Sequence, residues 1–247
     1  MASRLFDASV RPHIYAIYGM VRLADEIVDT YQGKDARQRL DAFEREVMQA
    51  CKSGYSTNPL LYAFGLSARE YDIDAQLIAP FFASMRSDIK KTSYTARQYA
   101  DYIYGSAEVV GLMCLKVFVG GDEVAYERLA PGARALGSAY QKVNFLRDVA
   151  DDYHGRGRMY FPGVTFARFD DAAKRAIEAD IRAEFDRAKP AIEQLPRTAR
   201  RAVMTSYLYY RRLLARIEAA PADTIKSRRM RVPTLEKLAL LGRAVVL

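Results

Sequence analysis

QKVNFLRDVADDYHGRGRMYFP, residues 141–162, carries two aspartates four positions apart, Asp148 and Asp152, with Asp151 beside the second. On a helix, residues four apart sit one turn above each other on a single face. Gln141 and Asn144 lie above them on that face, so the stripe reads Gln141, Asn144, Asp148, Asp152. Val143, Leu146 and Val149 fall mostly on other faces. A solvated helix face in this chain is usually studded with Lys, Arg and Glu, and this stripe holds none. Amides stacked above paired aspartates read as the wall of a polar cavity.

A second stretch, VRLADEIVDTY at 21–31, repeats the spacing with Asp25 and Asp29. Tyr18 and Val21 continue the same face, so the acids are expected to point where the core residues point. Like charges at this spacing repel by roughly 0.2–0.5 kcal/mol on a helix surface. Buried without a partner they cost far more. A divalent cation removes both objections, because magnesium takes hard oxygen ligands and binds phosphates beside one or two carboxylates. One acidic pair alone is ordinary surface. Two such helices in one chain point to a diphosphate clamped by magnesium between them. Diphosphate leaves carbon only if its developing charge is neutralised, and the carbocation left behind needs an apolar, aromatic-walled pocket without water. The 17 tyrosines and 11 phenylalanines can supply such walls, although most of these rings are expected to be ordinary core. Arg22 and Arg147 each stand near an aspartate cluster, either as ion-pair partners or facing the anion that the metals also hold.

Around these stretches the 247-residue chain is half hydrophobic, which makes it globular with a sizeable core. Helix periodicity dominates, as in Ile14, Tyr18, Val21, Val28 and in Leu40, Phe43, Val47, Met48. The same spacing predicts helices over 76–90, 95–118, 133–153 and 197–219, and strand-like alternation is scarce. Breaks are expected at Gly33, 53–59, 120–122, Pro131, 155–163, Pro196 and Pro221. The reading is one all-α domain of roughly eight to ten helices. Two distant cysteines, Cys51 and Cys114, without a CxxC fit a reduced cytoplasm. The apolar run VVGLMCLKVFVGG, 109–121, is interrupted by Lys116 and reads as too short to span a bilayer. No signal-peptide pattern opens the chain. The net charge of +8 gathers towards the C-terminal half, in RTARR (197–201), RRLLAR (211–216) and KSRRMR (226–231). Nucleic acid, an anionic membrane, a phosphorylated substrate or a merely solvated surface all fit these clusters.

RLADEIVD at 22–29 resembles the first aspartate-rich motif of the squalene/phytoene synthase family, and 141–162 resembles its second, including the trailing Gly157, Arg158, Tyr160 and Pro162. YIYGSAEVVG, 102–111, is similar to the family's Tyr-rich helix, and the likeness extends over nearly the whole chain, closest to bacterial phytoene synthases. The resemblance implies a single-domain isoprenoid synthase-type helical bundle around a central cavity. It implies head-to-head condensation of two geranylgeranyl diphosphates through a cyclopropyl intermediate to phytoene, or of farnesyl diphosphate to squalene or dehydrosqualene. Asp25, Asp29, Asp148 and Asp152 would hold magnesium, or manganese in its place, and NADPH is not expected. Arg22, Gln141 and Asn144 would line the diphosphate sites, and Tyr102 would sit beside the cationic or leaving-group centre. Tyr210 and Arg229 carry over loosely as pocket wall and diphosphate contact, and a solvated or membrane-docking patch fits them equally. MASRLFDASVRP, 1–12, resembles residues that follow a Ser-rich, aromatic N-terminal motif of the family, a segment expected to be missing from this chain. A cytoplasmic protein with peripheral contact to the inner membrane face, monomeric or homodimeric and without nucleic acid, completes the expectation.

Two rivals compete. A di-iron carboxylate bundle needs Glu-x-x-His on two helices, and His13 and His154 stand in no such motif, His154 reading as a loop residue. A nucleic-acid binder would concentrate its cations on one recognition helix and gives no reason for two aspartate clusters. A family member that binds prenyl diphosphates without turning them over is the third option.

Overall fold

A computed structural model describes residues 2–31, 33–89, 92–234 and 236–237, and among them every regular element is helical. The periodic segments become α1 (Arg11–Asp29), α2 (Ala36–Ser53), α3 (Pro59–Glu70), α4 (Ala75–Asp88) and α5 (Ala96–Ile103). They continue as α6 (Val109–Val119), α7 (Glu123–Arg156), α8 (Asp171–Glu193), α9 (Arg197–Glu218) and α10 (Ala222–Ser227). Short polar side chains start them. Asn58 accepts from Leu60 N at 3.0 Å, Asp122 accepts from Ala125 N at 3.0 Å, and Thr95 forms a capping box with Gln98. α7 ends on Gly157, whose φ of +64° is the left-handed conformation that a glycine adopts without strain.

Several expectations shift. Pro131 does not break the chain but lies inside α7, which runs unbroken for 34 residues. A proline inside a helix costs roughly 3 kcal/mol, because it removes one hydrogen bond and crowds the preceding turn. Packing outweighs that cost. α7 is pressed against α6, the turn before it and α8: a Cβ on Gly132 would lie 2.2 Å from Ala191 Cβ, and one on Gly137 would lie 2.6 Å from Ala107 O. His154 sits in the last turn of α7 rather than in a loop. The helix predicted to reach residue 90 ends at Asp88, and Lys90 lies outside the described residues.

The expectation about membrane length is also corrected. α5, a π-helical turn (Tyr104–Glu108) and α6 join into one rod, Ala96–Val119, which by length and composition alone is long and apolar enough to cross a bilayer. Among the described residues it is the one helix that passes this test. Here it packs against protein on two sides, α4 and α7. Lys116, in its second half, is buried and pairs with Glu123 at 3.2 Å.

Two apolar clusters flank the rod. One gathers Met20, Leu40, Phe64, Phe82 and Met113; the other gathers Leu146, Ile181, Phe185, Leu213 and Ile217. The π turn reaches α4 only because Gly105 has no side chain. A Cβ there would lie 2.2 Å from both Pro80 O and Ser84 Oγ. Gly105→Ala is therefore expected to lower stability by about 1–3 kcal/mol through overpacking, a fall of several degrees in a circular-dichroism melt. An unchanged melting temperature would contradict the close contact.

Candidate active site

α1 contributes Asp25 and Asp29 to a polar cavity of about 320 Å3, and α7 contributes Gln141, Asn144, Asp148 and Asp152 to the same space. The two aspartate pairs of the sequence therefore face one volume. Tyr102, from α5, lines it as well. Val21, Ser106, Gln141 and Asn144 belong also to the lining of a second cavity, about 540 Å3, whose other walls are mostly apolar. Tyr18, 65% exposed, lines that second cavity, so the face of α1 that carries the acids does continue into apolar wall.

The carboxylates differ in their surroundings. Burial, reinforced by the charge of Asp29, pushes the Asp25 carboxyl up to about 6. Asp148 is met by cations: Arg147 donates to both its oxygens, at 2.9 and 2.5 Å, and Arg229 Nε lies 2.7 Å from Oδ1. Arg229 thus touches a carboxylate of the polar cavity, while lining neither cavity itself. Tyr210 donates to Asn144 Oδ1 at 3.2 Å, and its ring stacks on Tyr140 at 4.0 Å in the wall of the larger cavity. Arg22 departs from its expected place. It pairs with Glu26 one turn along the exposed side of α1 and lines neither cavity. Much of the remaining C-terminal charge is offset locally, Arg211 by Asp186 at 3.1 Å and Arg212 and Arg216 by Glu236 at 2.7 and 3.0 Å.

One functional residue was missed in the sequence. Asp88, at the end of α4, is a fifth carboxylate in the polar cavity and is almost fully buried. Tyr102 donates to its Oδ2 at 2.6 Å and Tyr94 to its Oδ1 at 3.2 Å. Arg158 donates to the Asp88 carbonyl and to Tyr160 Oη, the latter at 3.2 Å, and stands 3.8 Å from Oδ1. Burial still prevails and pushes the Asp88 carboxyl up to about 6. Burial likewise drives the Tyr102 phenol well above its ordinary value, so it stays a proton donor. Behind this network Phe145 stacks on Tyr160 at 3.9 Å. A signal existed: Phe81, Met85 and Asp88 recur at four and three residues on one helix face, an acid on a core stripe just as Asp25 is.

Among the described residues no three Asp, Glu, His or Cys side chains are disposed to hold a metal ion by themselves. The donors present are carboxylates in pairs, hard oxygen ligands that need phosphate oxygens to complete a shell. That matches magnesium, which is held by one or two carboxylates together with a substrate phosphate. The residues fit a metal that binds with a diphosphate.

The raised Asp25 carboxyl has a consequence for stability. Folding favours its neutral form, so its contribution is full below about pH 4 and is lost as pH rises through about 6. The displacement from 3.8 to about 6 corresponds to about 3 kcal/mol. Asp25→Asn should therefore lose less stability than the parent between pH 4 and pH 7, measured by chemical denaturation without metal. An equal loss in both proteins would contradict the placement of Asp25.

The squalene/phytoene synthase family model matches residues 1–236. The relative "Phytoene synthase 3, chloroplastic" of Zea mays is 32% identical over 99% of this chain, which spans 61% of that protein's length. The "15-cis-phytoene synthase" of Synechococcus elongatus is 30% identical, with 100% of this chain and 87% of that protein covered. A solved dehydrosqualene synthase superposes with a TM-score of 0.83 at 20% identity, covering 99% of this chain and 89% of the other. A squalene synthase from Alicyclobacillus acidocaldarius follows at 0.76 and 24%, covering 88% and 86%. These structural likenesses identify the all-helical fold, and the sequence matches identify the kinship. The chain belongs to the squalene/phytoene synthase family.

Proposed function

We propose that the protein is a prenyl transferase that joins two geranylgeranyl diphosphates head to head to give phytoene, a step of carotenoid biosynthesis. The observation that carries this reading is the meeting of two aspartate pairs, from α1 and α7, in one polar cavity that adjoins an apolar one. The names of the curated relatives support the longer substrate. The diphosphate would occupy the polar side and the tail the apolar side, whose 540 Å3 lies within the range of about 300–1,000 Å3 usual for ligand pockets.

Asp25, Asp29, Asp148 and Asp152 would hold magnesium or manganese, which when bound offsets the charge of the departing diphosphate. Arg147 and Arg229, both on Asp148, stand within the same cluster of charges and can turn to a phosphate oxygen. Asp88 fixes the Tyr102 hydroxyl and, with Arg158, ties the end of α4 to the strap after α7. Val21, Val110, Leu136 and the stacked faces of Tyr140 and Tyr210 keep water from a cation in the larger cavity. In the reaction the C1–O bond of one substrate breaks, and the double bond of the other captures the allylic cation. Proton loss closes a cyclopropane. Departure of the second diphosphate opens and rearranges it, and loss of another proton ends the sequence, so no hydride from NADPH enters. Farnesyl diphosphate would use the same cavities to give dehydrosqualene by the same final proton loss, or squalene if a hydride from NADPH closed the cation instead.

Tyr15, Tyr18, Tyr62 and Leu66 stand exposed on α1 and α3. Such amphipathic rings suit the boundary of a membrane, where the long substrates and product partition, and the protein would meet it from the cytoplasm as a peripheral visitor.

With magnesium and geranylgeranyl diphosphate, extracted lipid should contain phytoene whether or not NADPH is present. Asp148→Asn should cut turnover by roughly a hundredfold or more, the scale seen when one group stabilising a developing anion is removed, while its helical melt stays cooperative. Squalene from farnesyl diphosphate, with no phytoene, would move the reaction to the shorter substrate. A variant that loses its melt instead of its activity would count against the metal role.

A further inference from the structure

Ser106 occupies the middle of the π turn, one residue beyond the Gly105 contact with α4. Its Oγ is closed off from solvent and makes no hydrogen bond with any described residue. Buried polar atoms almost always have a partner, so an exception calls for a reason. A serine in a helix commonly returns its hydroxyl to the carbonyl four residues back. Ser67 does so to Ala63 O at 2.9 Å, and Thr205 does so to Arg201 O at 2.7 Å. For Ser106 that carbonyl belongs to Tyr102, and it is already taken by Ser84 Oγ at 3.2 Å. The turn that displaces the hydroxyl from its usual outlet is of a kind found mostly at functional sites.

The place where Ser106 stands identifies its missing partner. It lines the polar cavity together with Asp25, Asp29 and Asp148, and it lines the apolar cavity together with Val110 and Leu136. On the reading proposed above, on which this inference rests, a diphosphate fills the first and a prenyl tail the second. The atom that must cross their boundary is the ester oxygen that joins the two. We infer that Ser106 Oγ donates a hydrogen bond to the bridging oxygen between C1 of the prenyl chain and its diphosphate. When the C1–O bond breaks, the electron pair stays on that oxygen. Rotation about the Ser106 Cα–Cβ bond would turn the buried hydroxyl to that oxygen. A donor there interacts more strongly with the developing anion than with the neutral ester, and so lowers the barrier to ionisation. Ser106 keeps its proton throughout and forms no covalent bond. It is a catalytic residue in the strict sense of touching a reacting atom, distinct from the carboxylates and arginines that surround the terminal phosphates.

The test compares two unreactive ligands on the full chain with magnesium, by isothermal titration. One is the saturated analogue of geranylgeranyl diphosphate, which keeps the bridging oxygen but cannot form an allylic cation. The other is the same molecule with a methylene in place of that oxygen. The ratio of the two dissociation constants is measured for the parent, Ser106→Ala and Ser106→Thr. The parent's preference for oxygen should exceed that of Ser106→Ala by roughly three- to tenfold, the usual worth of one hydrogen bond. Ser106→Thr, which restores a hydroxyl, should recover part of the preference. Equal ratios in the parent and Ser106→Ala, with both ligands still bound in a magnesium-dependent way, would overturn the role of Ser106 and leave the proposed site standing. Failure of both ligands to bind the parent would overturn the site and this inference together. Ser106→Ala removes a buried hydroxyl that makes no hydrogen bond, so its melt should not fall below the parent's, and a ratio that changes only alongside a collapsed melt would count against the assignment.

Discussion

Five carboxylates, Asp25, Asp29, Asp88, Asp148 and Asp152, line one cavity inside a helical bundle, and their mutual repulsion is the constraint to which the surrounding structure answers. Apolar packing cannot relieve it, because charge removed from water must be paired or neutralised. The protein meets part of the demand itself. α7 turns at Gly157, and Arg158 then reaches back to the end of α4, where Tyr94 and Tyr102 also donate to Asp88. The segment after α10 returns to α7, with Met230 N bonded to Arg147 O at 3.3 Å and Arg229 laid on Asp148. Two stretches that looked like connections are thereby held by the charges of the site. On α1, burial and the charge of Asp29 keep Asp25 at about 6. A cation bound beside Asp25 with phosphate would favour its charged form.

The apolar half of the site depends on a different constraint, the close approach of helices. Gly105, Gly132 and Gly137 let the Ala96–Val119 rod, α4, α7 and α8 pack at distances that a single methyl group would obstruct. The seam along the rod and α7 leaves a cavity whose mouth carries Ser106, Gln141 and Asn144. The polar and apolar cavities thus share a boundary only a few side chains wide.

How much of this was legible in the sequence depended on the range of the interaction. Helix faces are local, so the stripes of α1 and α7 and the all-helical class could be read from spacing alone. Arg22 misled because a local rival, Glu26 one turn away, claims it before any ligand could. Pro131 misled because its local penalty is set against packing with α6 and α8, which spacing does not reveal. The apolar run at 109–121 looked too short because it was measured by itself, although the helix predicted over 95–118 already joined it to the α5 stretch. Asp88 carried the same sign as Asp25, an acid on a core stripe. Its importance rests on Arg158, 70 residues on, a pairing that no local pattern announces.

The central claim is that the two aspartate helices form a diphosphate clamp that a divalent cation completes. It is tested most directly by thermal unfolding with magnesium and inorganic diphosphate, separately and together. A ligand at a hundredfold excess over its dissociation constant adds about 2.7 kcal/mol, which for a chain of this size is about 5–10 °C. The account predicts a shift of that order only when both are present, and its loss in Asp25→Asn and Asp148→Asn. An equal shift with diphosphate alone, or no shift with the pair, would contradict it.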